Sequence, residues 1–171
     1  MVPGVDAPMD MFDTAAPACP MPLPGQAPAD DELALILARS HAVAVVGASP
    51  NPERTSHQVT LWLMEHTPFE LYLVNPRAGD ADVAGHGFYN ELSELPVTPD
   101  IVVAFRRSED IPPVADAAIA ADAAVLWMQQ GIENEQAAVM AQAAGLDVVQ
   151  NRCIKVEYAR LREQIEAVRA A

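Results

Sequence analysis

Apolar residues recur along this chain in short unbroken runs, separated by longer stretches in which they are spaced as on one face of a helix. Runs without polar alternation are typical of strands that are buried on both faces, as in parallel sheets covered by helices. The pattern therefore predicts an α/β domain with an open, mostly parallel five-stranded sheet and helices on both faces. The five runs that predict strands are residues 41–46, 70–74, 100–105, 123–127 and 147–149.

The helical stretches alternate with these strands. Asp30 or Asp31 can cap the first helix and Ser56 the second, because their side chains can accept hydrogen bonds from first-turn N–H groups. The last helix is predicted to run unbroken over residues 154–170, and the Gly- and Asp-rich residues 75–88 are predicted to be a loop. The predicted helices begin near residues 30, 56, 89, 111, 133 and 154.

Residues 1–29 differ in composition from the rest of the chain. They hold seven of the fifteen prolines and no Lys or Arg. Such a stretch cannot bury enough apolar area to offset the entropy lost on ordering. We therefore predict a disordered Pro/Ala-rich tail over residues 1–29 and one folded domain over residues 30–171.

Charge and cysteine content exclude several classes of protein. The formal net charge is −14, which argues against binding to nucleic acid or to an anionic membrane surface. The two cysteines, Cys19 and Cys153, form neither a disulfide framework nor a metal-site spacing. The N-terminus shows no signal-peptide pattern, so we expect a cytoplasmic protein.

The few cations of this acidic chain follow predicted strand ends. Carboxyl ends of parallel strands form the edge of an open sheet at which ligands bind. Cations gathered there predict an anion site, and the alternative is solvated loop residues paired with nearby acids. Between residues 40 and 156 the cations are Arg54, Arg77, Arg106, Arg107, Arg152 and Lys155.

The loop after the first strand has the features of a phosphate cradle. Gly47 allows close backbone approach, Ala48 and Ser49 are small, and the loop leads through Arg54 to Ser56 at a helix start. The loop matches neither the Gly-x-Gly-x-x-Gly fingerprint nor a Walker motif. An ordinary dinucleotide site is therefore disfavoured.

The second strand ends in Asn75, Pro76 and Arg77, without the acid that binds the ribose 2′-hydroxyl in NAD sites. An arginine suits an additional ribose phosphate, as in NADP or in coenzyme A (CoA). The residues alone leave both ligands open. An NADP-dependent oxidoreductase and a partner-binding protein without a ligand are thus the alternatives to a CoA-binding protein.

Five segments, in order, resemble the small stand-alone CoA-binding domain proteins, which are related to the CoA-binding domain of the succinyl-CoA synthetase alpha subunit. The resemblance extends over residues 31–162 and implies a Rossmann-like fold with CoA or an acyl-CoA as the ligand. Similar proteins commonly have Asp-Arg-Cys-Pro-Lys where this chain has Asn151-Arg-Cys-Ile-Lys155. The segments are 45–49, 74–77, 105–109, 126–131 and 151–157.

The resemblance implies that the pyrophosphate lies at residues 47–56, near Arg54. It places the adenosine end, with its 3′-phosphate, near Asn75, Pro76 and Arg77 and near Phe105, Arg106 and Arg107. Gln129 and Gly131 complete the predicted site.

No catalytic residues are predicted, and His57 is expected to support the site or to lie on the helix surface rather than to catalyse. We therefore expect binding rather than turnover, in a monomer, a homodimer or a complex with another protein. A further hypothesis is that Cys153, at the predicted rim, forms a mixed disulfide with the CoA thiol. The alternative is an inert, partly buried cysteine.

Overall fold

The computed structural model describes residues 27–171, which form one seven-stranded sheet flanked by helices. The predicted α/β, mostly parallel, Rossmann-like architecture is confirmed. The order across the sheet is β3-β4-β2-β1-β5-β6-β7. The strands are β1 (Ala42–Val46), β2 (Glu70–Val74), β3 (Asp82–Val83), β4 (His86–Tyr89), β5 (Ile101–Ala104), β6 (Val125–Met128) and β7 (Asp147–Val149).

The sheet has two more strands than the predicted five, because the predicted loop over residues 75–88 holds a hairpin. β3 and β4 pair antiparallel, and β4 continues the sheet in parallel beside β2. Ala84 and Gly85, both at positive φ, turn the chain between the two strands. The helix predicted near residue 89 is only a 3₁₀ turn over Leu92–Glu94, since Tyr89 pairs with Val74 in the sheet.

Three helix boundaries also differ from the prediction. α1 begins at Asp30 with Ala29 at its N-cap position, and α2 begins at Thr55, so Ser56 is not a cap but the second residue of α2. The predicted last helix is interrupted at the buried Leu161 and forms two helices. The helices are α1 (Asp30–Arg39), α2 (Thr55–His66), α3 (Ile111–Ala120), α4 (Glu135–Ala143), α5 (Ile154–Arg160) and α6 (Arg162–Ala170).

The helices cover both faces of the sheet, which explains the unbroken apolar runs. Successive side chains of a strand point to opposite faces. Val103 and Trp127 pack into the core beneath α1, α2, α5 and α6, whereas Val102 and Leu126 pack beneath α3 and α4. All four side chains are fully buried, and each such burial stabilises the fold by roughly 1.5–3 kcal/mol.

The strand order has its switch point at β1, which lies between β2 and β5. The chain passes from β1 to β2 through α2 on one face of the sheet, and from β5 to β6 through α3 on the other. In open α/β sheets the crevice at the carboxyl ends of the strands beside such a point is the usual ligand site. The sheet therefore directs attention to the residues that follow β1, β2 and β5.

Candidate functional site at the carboxyl ends of the strands

Gly47 closes the first strand against its neighbour. Its backbone has φ +87°, and a Cβ atom at this position would lie 2.3 Å from the carbonyl oxygen of Phe105. The Gly47 N–H donates to Val74 O at 2.9 Å, and Phe105 N–H donates to Val46 O at 2.8 Å. Only glycine meets both the conformation and the close approach, so this residue lets the three strand ends converge.

The loop after Gly47 is held from two sides. Asn75 Nδ2 donates to the carbonyl oxygen of Ala48 at 2.9 Å, and the His57 ring lies with Nδ1 at 2.9 Å from the carbonyl oxygen of Ser49. Because a carbonyl only accepts, Nδ1 of His57 carries the proton in this contact. His57 as a whole is only 9% exposed. This supporting role agrees with the expectation for His57 from the sequence.

The start of α2 leaves backbone donors available. Its N-cap position, Arg54, makes no side-chain capping bond. Within residues 27–171, no acceptor contacts the backbone N–H groups of Ser49, Thr55 or Ser56. Free first-turn N–H groups at the positive end of a helix form a favourable environment for an anion. Because Arg54 is exposed beside them, the loop can bind a phosphate group through both backbone and side chain.

The second strand end is joined to the first through Asn75. While its Nδ2 reaches Ala48, its Oδ1 accepts from Arg77 N–H at 2.9 Å. Within residues 27–171, no carboxylate lies within 4.0 Å of the guanidinium groups of Arg54, Arg77 or Arg106. These three predicted site residues therefore retain positive charge that a ligand can use.

Arg107 differs from these three arginines. Its Nε lies 3.1 Å from Asp110 and 3.6 Å from Glu109, and its side chain is 77% exposed. The neighbouring acids already neutralise this arginine in the structure. Its predicted place near the 3′-phosphate thus has weaker support than that of Arg106.

A groove of about 690 Å³ lies beside these strand ends, on the face covered by α3. Its floor is mainly apolar and includes Val46, Val74, Leu92, Val114 and Ala117. Pro76 and Arg106 lie on its wall, together with Glu91 and Asp110. A groove with an apolar floor and a cation on its wall suits a flat, apolar ring that carries a negatively charged group.

We call the carboxyl ends of β1, β2 and β5 the open half of this edge, and the carboxyl ends of β6 and β7 the closed half. In the closed half, polar side chains form hydrogen bonds within the protein, mostly to backbone N–H groups. Gln129 is 3% exposed; its Oε1 accepts from Ile154 N–H at 2.9 Å and its Nε2 contacts Cys153 Sγ at 3.5 Å. Gly131 N–H donates to Asn151 Oδ1 at 2.7 Å. The polar groups of Gln129 and Gly131, both predicted site residues, thus form hydrogen bonds within the protein.

The cations of the closed half also contact other groups of the protein. Arg152 lies 3.4 Å from the buried Glu157, and its carbonyl oxygen accepts from Trp127 Nε1 at 2.7 Å. Lys155 lies within α5, with its Nζ 5.9 Å from the ring centroid of Trp62. The expectation that every cation follows a strand end directly is therefore wrong for Lys155, because α5 begins at Ile154, as predicted, and includes this residue.

Other kinds of site find no support among residues 27–171. No cluster of His, Cys, Asp and Glu there could hold a metal ion. None of the helices in that range has the length and apolar character needed to cross a membrane.

The glycine turn, the free helix N-terminus and the strand-end arginines at the switch point define a Rossmann-like domain suited to phosphate-bearing ligands. Comparison with known families makes this assignment specific. Residues 41–159 match the family model of the CoA binding domain, and the chain belongs to this family.

Relatives of similar size support the assignment. The uncharacterized protein YneT of Bacillus subtilis is 42% identical over 134 residues, which cover 78% of this chain and 97% of YneT. A hypothetical protein from Pyrococcus horikoshii has 34% identity and a TM-score of 0.75, with 82% of this chain and 96% of that one covered. A Thermus thermophilus protein has 30% identity and a TM-score of 0.74, with 78% and 99% covered.

A more distant neighbour is a domain of a larger enzyme. The dinucleotide-forming acetyl-coenzyme A synthetase 1 of Ca. Korarchaeum cryptofilum is 24% identical, with a TM-score of 0.58. The match covers 68% of this chain and 27% of the synthetase. At this identity the likeness shows a shared fold alone.

Proposed function

We propose that this protein binds coenzyme A, or an acyl-CoA, in the open half of the sheet edge. One observation carries the proposal: Arg106, which has no carboxylate partner within residues 27–171, lines a mainly apolar groove at the switch point. Family membership supports CoA as the nucleotide. The proposal concerns binding and assigns no reaction.

The pyrophosphate would lie on the loop from Gly47 to Ser56. The free N–H groups of Ser49, Thr55 and Ser56 would donate to its oxygens, and Arg54 would supply charge. The bonds from Asn75 and His57 fix the loop carbonyls, so the loop needs little rearrangement when a ligand binds. A preformed site of this kind lowers the entropic cost of binding.

The adenosine end would occupy the groove beside β2 and β5. Its adenine ring would pack on the apolar floor at Val74 and Leu92, while the 3′-phosphate would meet Arg106 on the groove wall and Arg77, which follows Pro76 at the end of β2. Arginine binds phosphate through charge-assisted, often bidentate hydrogen bonds. These two residues would therefore distinguish CoA from nucleotides that lack the additional phosphate.

Calorimetric titration of the full chain with CoA, dephospho-CoA, NADP and NAD tests this function. Hydrogen bonds to charged groups contribute about 1.5–3 kcal/mol, so CoA should bind roughly ten- to a hundredfold more tightly than dephospho-CoA. Equal affinity for these two would contradict the role of Arg77 and Arg106. Binding of NADP without CoA would favour the oxidoreductase alternative, and binding of none of the four would overturn the proposal.

A further inference from the structure

Asn75, the first residue after β2, is the point at which three segments of the open half meet. Its backbone N–H donates to Tyr89 O of β4 at 2.9 Å. Its side-chain Nδ2 donates to Ala48 O at 2.9 Å, and its Oδ1 accepts from Arg77 N–H at 2.9 Å. The residue is half-buried, and both polar atoms of its amide are bound to protein backbone. Asn75 therefore connects the phosphate loop to the turn that carries Arg77.

The bond to Ala48 orients a backbone donor of the phosphate loop. Ala48 O and the Ser49 N–H belong to one planar trans peptide group, so they point in opposite directions. Holding the carbonyl thus fixes the direction of the N–H. The Gly47 N–H donates to Val74 O at 2.9 Å, so two bonds of opposite donor direction join the ends of β1 and β2. Loss of the bond to Ala48 should displace a donor that any ligand with a pyrophosphate would use.

The bond to Arg77 holds the turn after β2. This turn is closed by the bond from Ala78 N–H to Asn75 O at 3.2 Å. An Asn side chain often stabilises such a turn by bonding to the backbone two residues further on. Arg77 is exposed, and no carboxylate within residues 27–171 lies within 4.0 Å of its guanidinium. Since no ion pair in that range holds Arg77, its direction depends on the backbone of this turn.

We propose that Asn75 is a positioning residue that sets the preference of the site for a nucleotide with phosphate groups on both the 5′ and the 3′ oxygen of one ribose. One planar amide binds both segments, so it fixes the distance between the phosphate loop and Arg77. A ligand with both phosphate groups meets the loop and Arg77 at once, whereas a ligand without the 3′-phosphate uses the loop alone. This role rests on the proposed function and adds to it a residue that determines specificity through its neighbours.

Serine at position 75 separates the two bonds. Its Oγ can accept from the N–H two residues further on, as Asn does, although the bond is weaker. The serine side chain is one atom shorter, so it should not reach Ala48 O. Asn75→Ser therefore keeps the bond to Arg77 and loses the bond to Ala48, whereas Asn75→Ala loses both. Neither change alters the charge of the site.

Calorimetric titration of the full chain with CoA and dephospho-CoA measures both effects. The affinity for dephospho-CoA reports on the bond to Ala48, and the ratio of the two affinities reports on Arg77. Both variants should bind dephospho-CoA roughly three- to tenfold more weakly than the wild type, as expected for the loss of one hydrogen bond. Asn75→Ala should also lower the ratio by roughly three- to tenfold, whereas Asn75→Ser should keep it within about twofold.

The Arg77→Ala background tests whether Asn75 acts through Arg77. Arg77→Ala alone should lower the ratio, and the further change Asn75→Ala should lower it by less than about twofold more, because coupled residues are not additive. Independent losses that multiply would overturn the positioning role, since Asn75 would then act on the 3′-phosphate without Arg77.

Asn134→Ala is the matched control for loss of a structural amide. Asn134 Nδ2 donates to Ser108 O at 2.8 Å, and its Oδ1 accepts from Ala137 N–H at 2.9 Å at the start of α4. This variant should lower the urea midpoint as Asn75→Ala does, but its affinity ratio should stay within about twofold of the wild-type value. An equal fall in the ratio would assign the effect to general destabilisation and overturn the positioning role.

The remaining outcomes separate this role from the proposed function. A wild-type protein that binds CoA no better than dephospho-CoA would overturn both. A wild-type preference for CoA that Asn75→Ala retains would overturn the positioning role alone. If Asn75→Ala does not fold, Asn75→Ser still decides, because an unchanged affinity for dephospho-CoA or a lost preference for CoA in that variant would contradict the two assigned bonds.

Discussion

The two halves of this sheet edge use the same types of residue in opposite ways. In the open half, Arg77 and Arg106 have no carboxylate partner within residues 27–171. In the closed half, the Gln129 amide and the Arg152 guanidinium bond to other groups of the protein. A polar residue at a strand end is therefore a ligand candidate only when the fold leaves its hydrogen-bonding groups available.

The halves also differ in what their glycines do. Gly47 and Gly131 have nearly the same φ, +87° and +86°, but a Cβ at Gly131 would meet no atom within 4 Å. At Gly47 it would lie 2.3 Å from a backbone oxygen. The first glycine allows strand ends to converge in the open half, whereas the second only permits a turn.

The largest expected effect comes from Gly47→Ala. Left-handed strain and the overlap with Phe105 O together should lower the free energy of unfolding by at least about 3 kcal/mol, or abolish cooperative folding. Gly131→Ala is the matched control, with a loss of about 1–2 kcal/mol from strain alone. Urea unfolding of the two variants measures both values. Equal losses would refute the role of the close contact at Gly47.

Next in size is the effect of Arg106→Ala on CoA affinity. If Arg106 binds the 3′-phosphate, its loss should weaken CoA binding by roughly ten- to a hundredfold and leave dephospho-CoA binding nearly unchanged. Arg107→Ala should change CoA affinity by less than about threefold, because Arg107 already pairs with Asp110 and Glu109. Calorimetric titration of both variants with CoA and dephospho-CoA measures these affinities. A greater loss from Arg107→Ala would reverse the assignment of the two arginines.

Gln129→Ala tests the closed half. The change leaves Ile154 N–H without its acceptor in a buried position, which should cost about 1–3 kcal/mol of unfolding free energy. The CoA affinity of this variant should remain within about twofold of the wild-type value, because the Gln129 amide bonds to Ile154 N–H and Cys153 Sγ within the protein. The exposed neighbour Gln130 provides the control Gln130→Ala, with a stability change within about 0.5 kcal/mol. A selective loss of CoA binding in Gln129→Ala would show that the closed half takes part in the site.

The sequence predicts the parallel core well because the relevant signal is local. Unbroken apolar runs place β1, β2, β5, β6 and β7, since side chains of each of these strands pack into the cores on both faces of the sheet. The hairpin of β3 and β4 gives no such signal. Its strands have only two and four residues, and every residue of β4 is exposed or half-buried, so neither strand gives an unbroken apolar run.

The site residues also differ in whether a local signal in the sequence predicts them. Gly47 and the strand-end arginines can be found from sequence because parallel strands bring their carboxyl ends to one edge. The sequence does not show which arginine is paired with an acid, because Arg106 and Arg107 are adjacent and only the direction of their side chains distinguishes them. The bond from Asn75 to Ala48 and the buried Gln129 amide likewise depend on contacts between residues distant in sequence.

The smallest expected effect concerns the ion pair between Asp30 at the start of α1 and Arg160 at the end of α5. Since Arg160 lowers the pKa of Asp30 in the folded protein, the Asp30 charge stabilises the fold above the ordinary carboxyl pKa of about 3.9. This contribution is lost as the pH falls through the lower pKa of the folded state.

Asp30→Asn should therefore lower the urea midpoint slightly at pH 7, and the difference from wild type should vanish as the pH falls well below 3.9 (about the ordinary value). High salt should also reduce this difference in urea midpoint, because the Asp30–Arg160 pair is exposed. Asp31→Asn is the matched control, since Asp31 shares the first turn of α1 but makes no ion pair within residues 27–171. An equal shift in Asp31→Asn would assign the effect to the helix dipole rather than to Arg160. A difference that persists at low pH would show that the shape of the Asp30 side chain, rather than its charge, anchors the start of the domain.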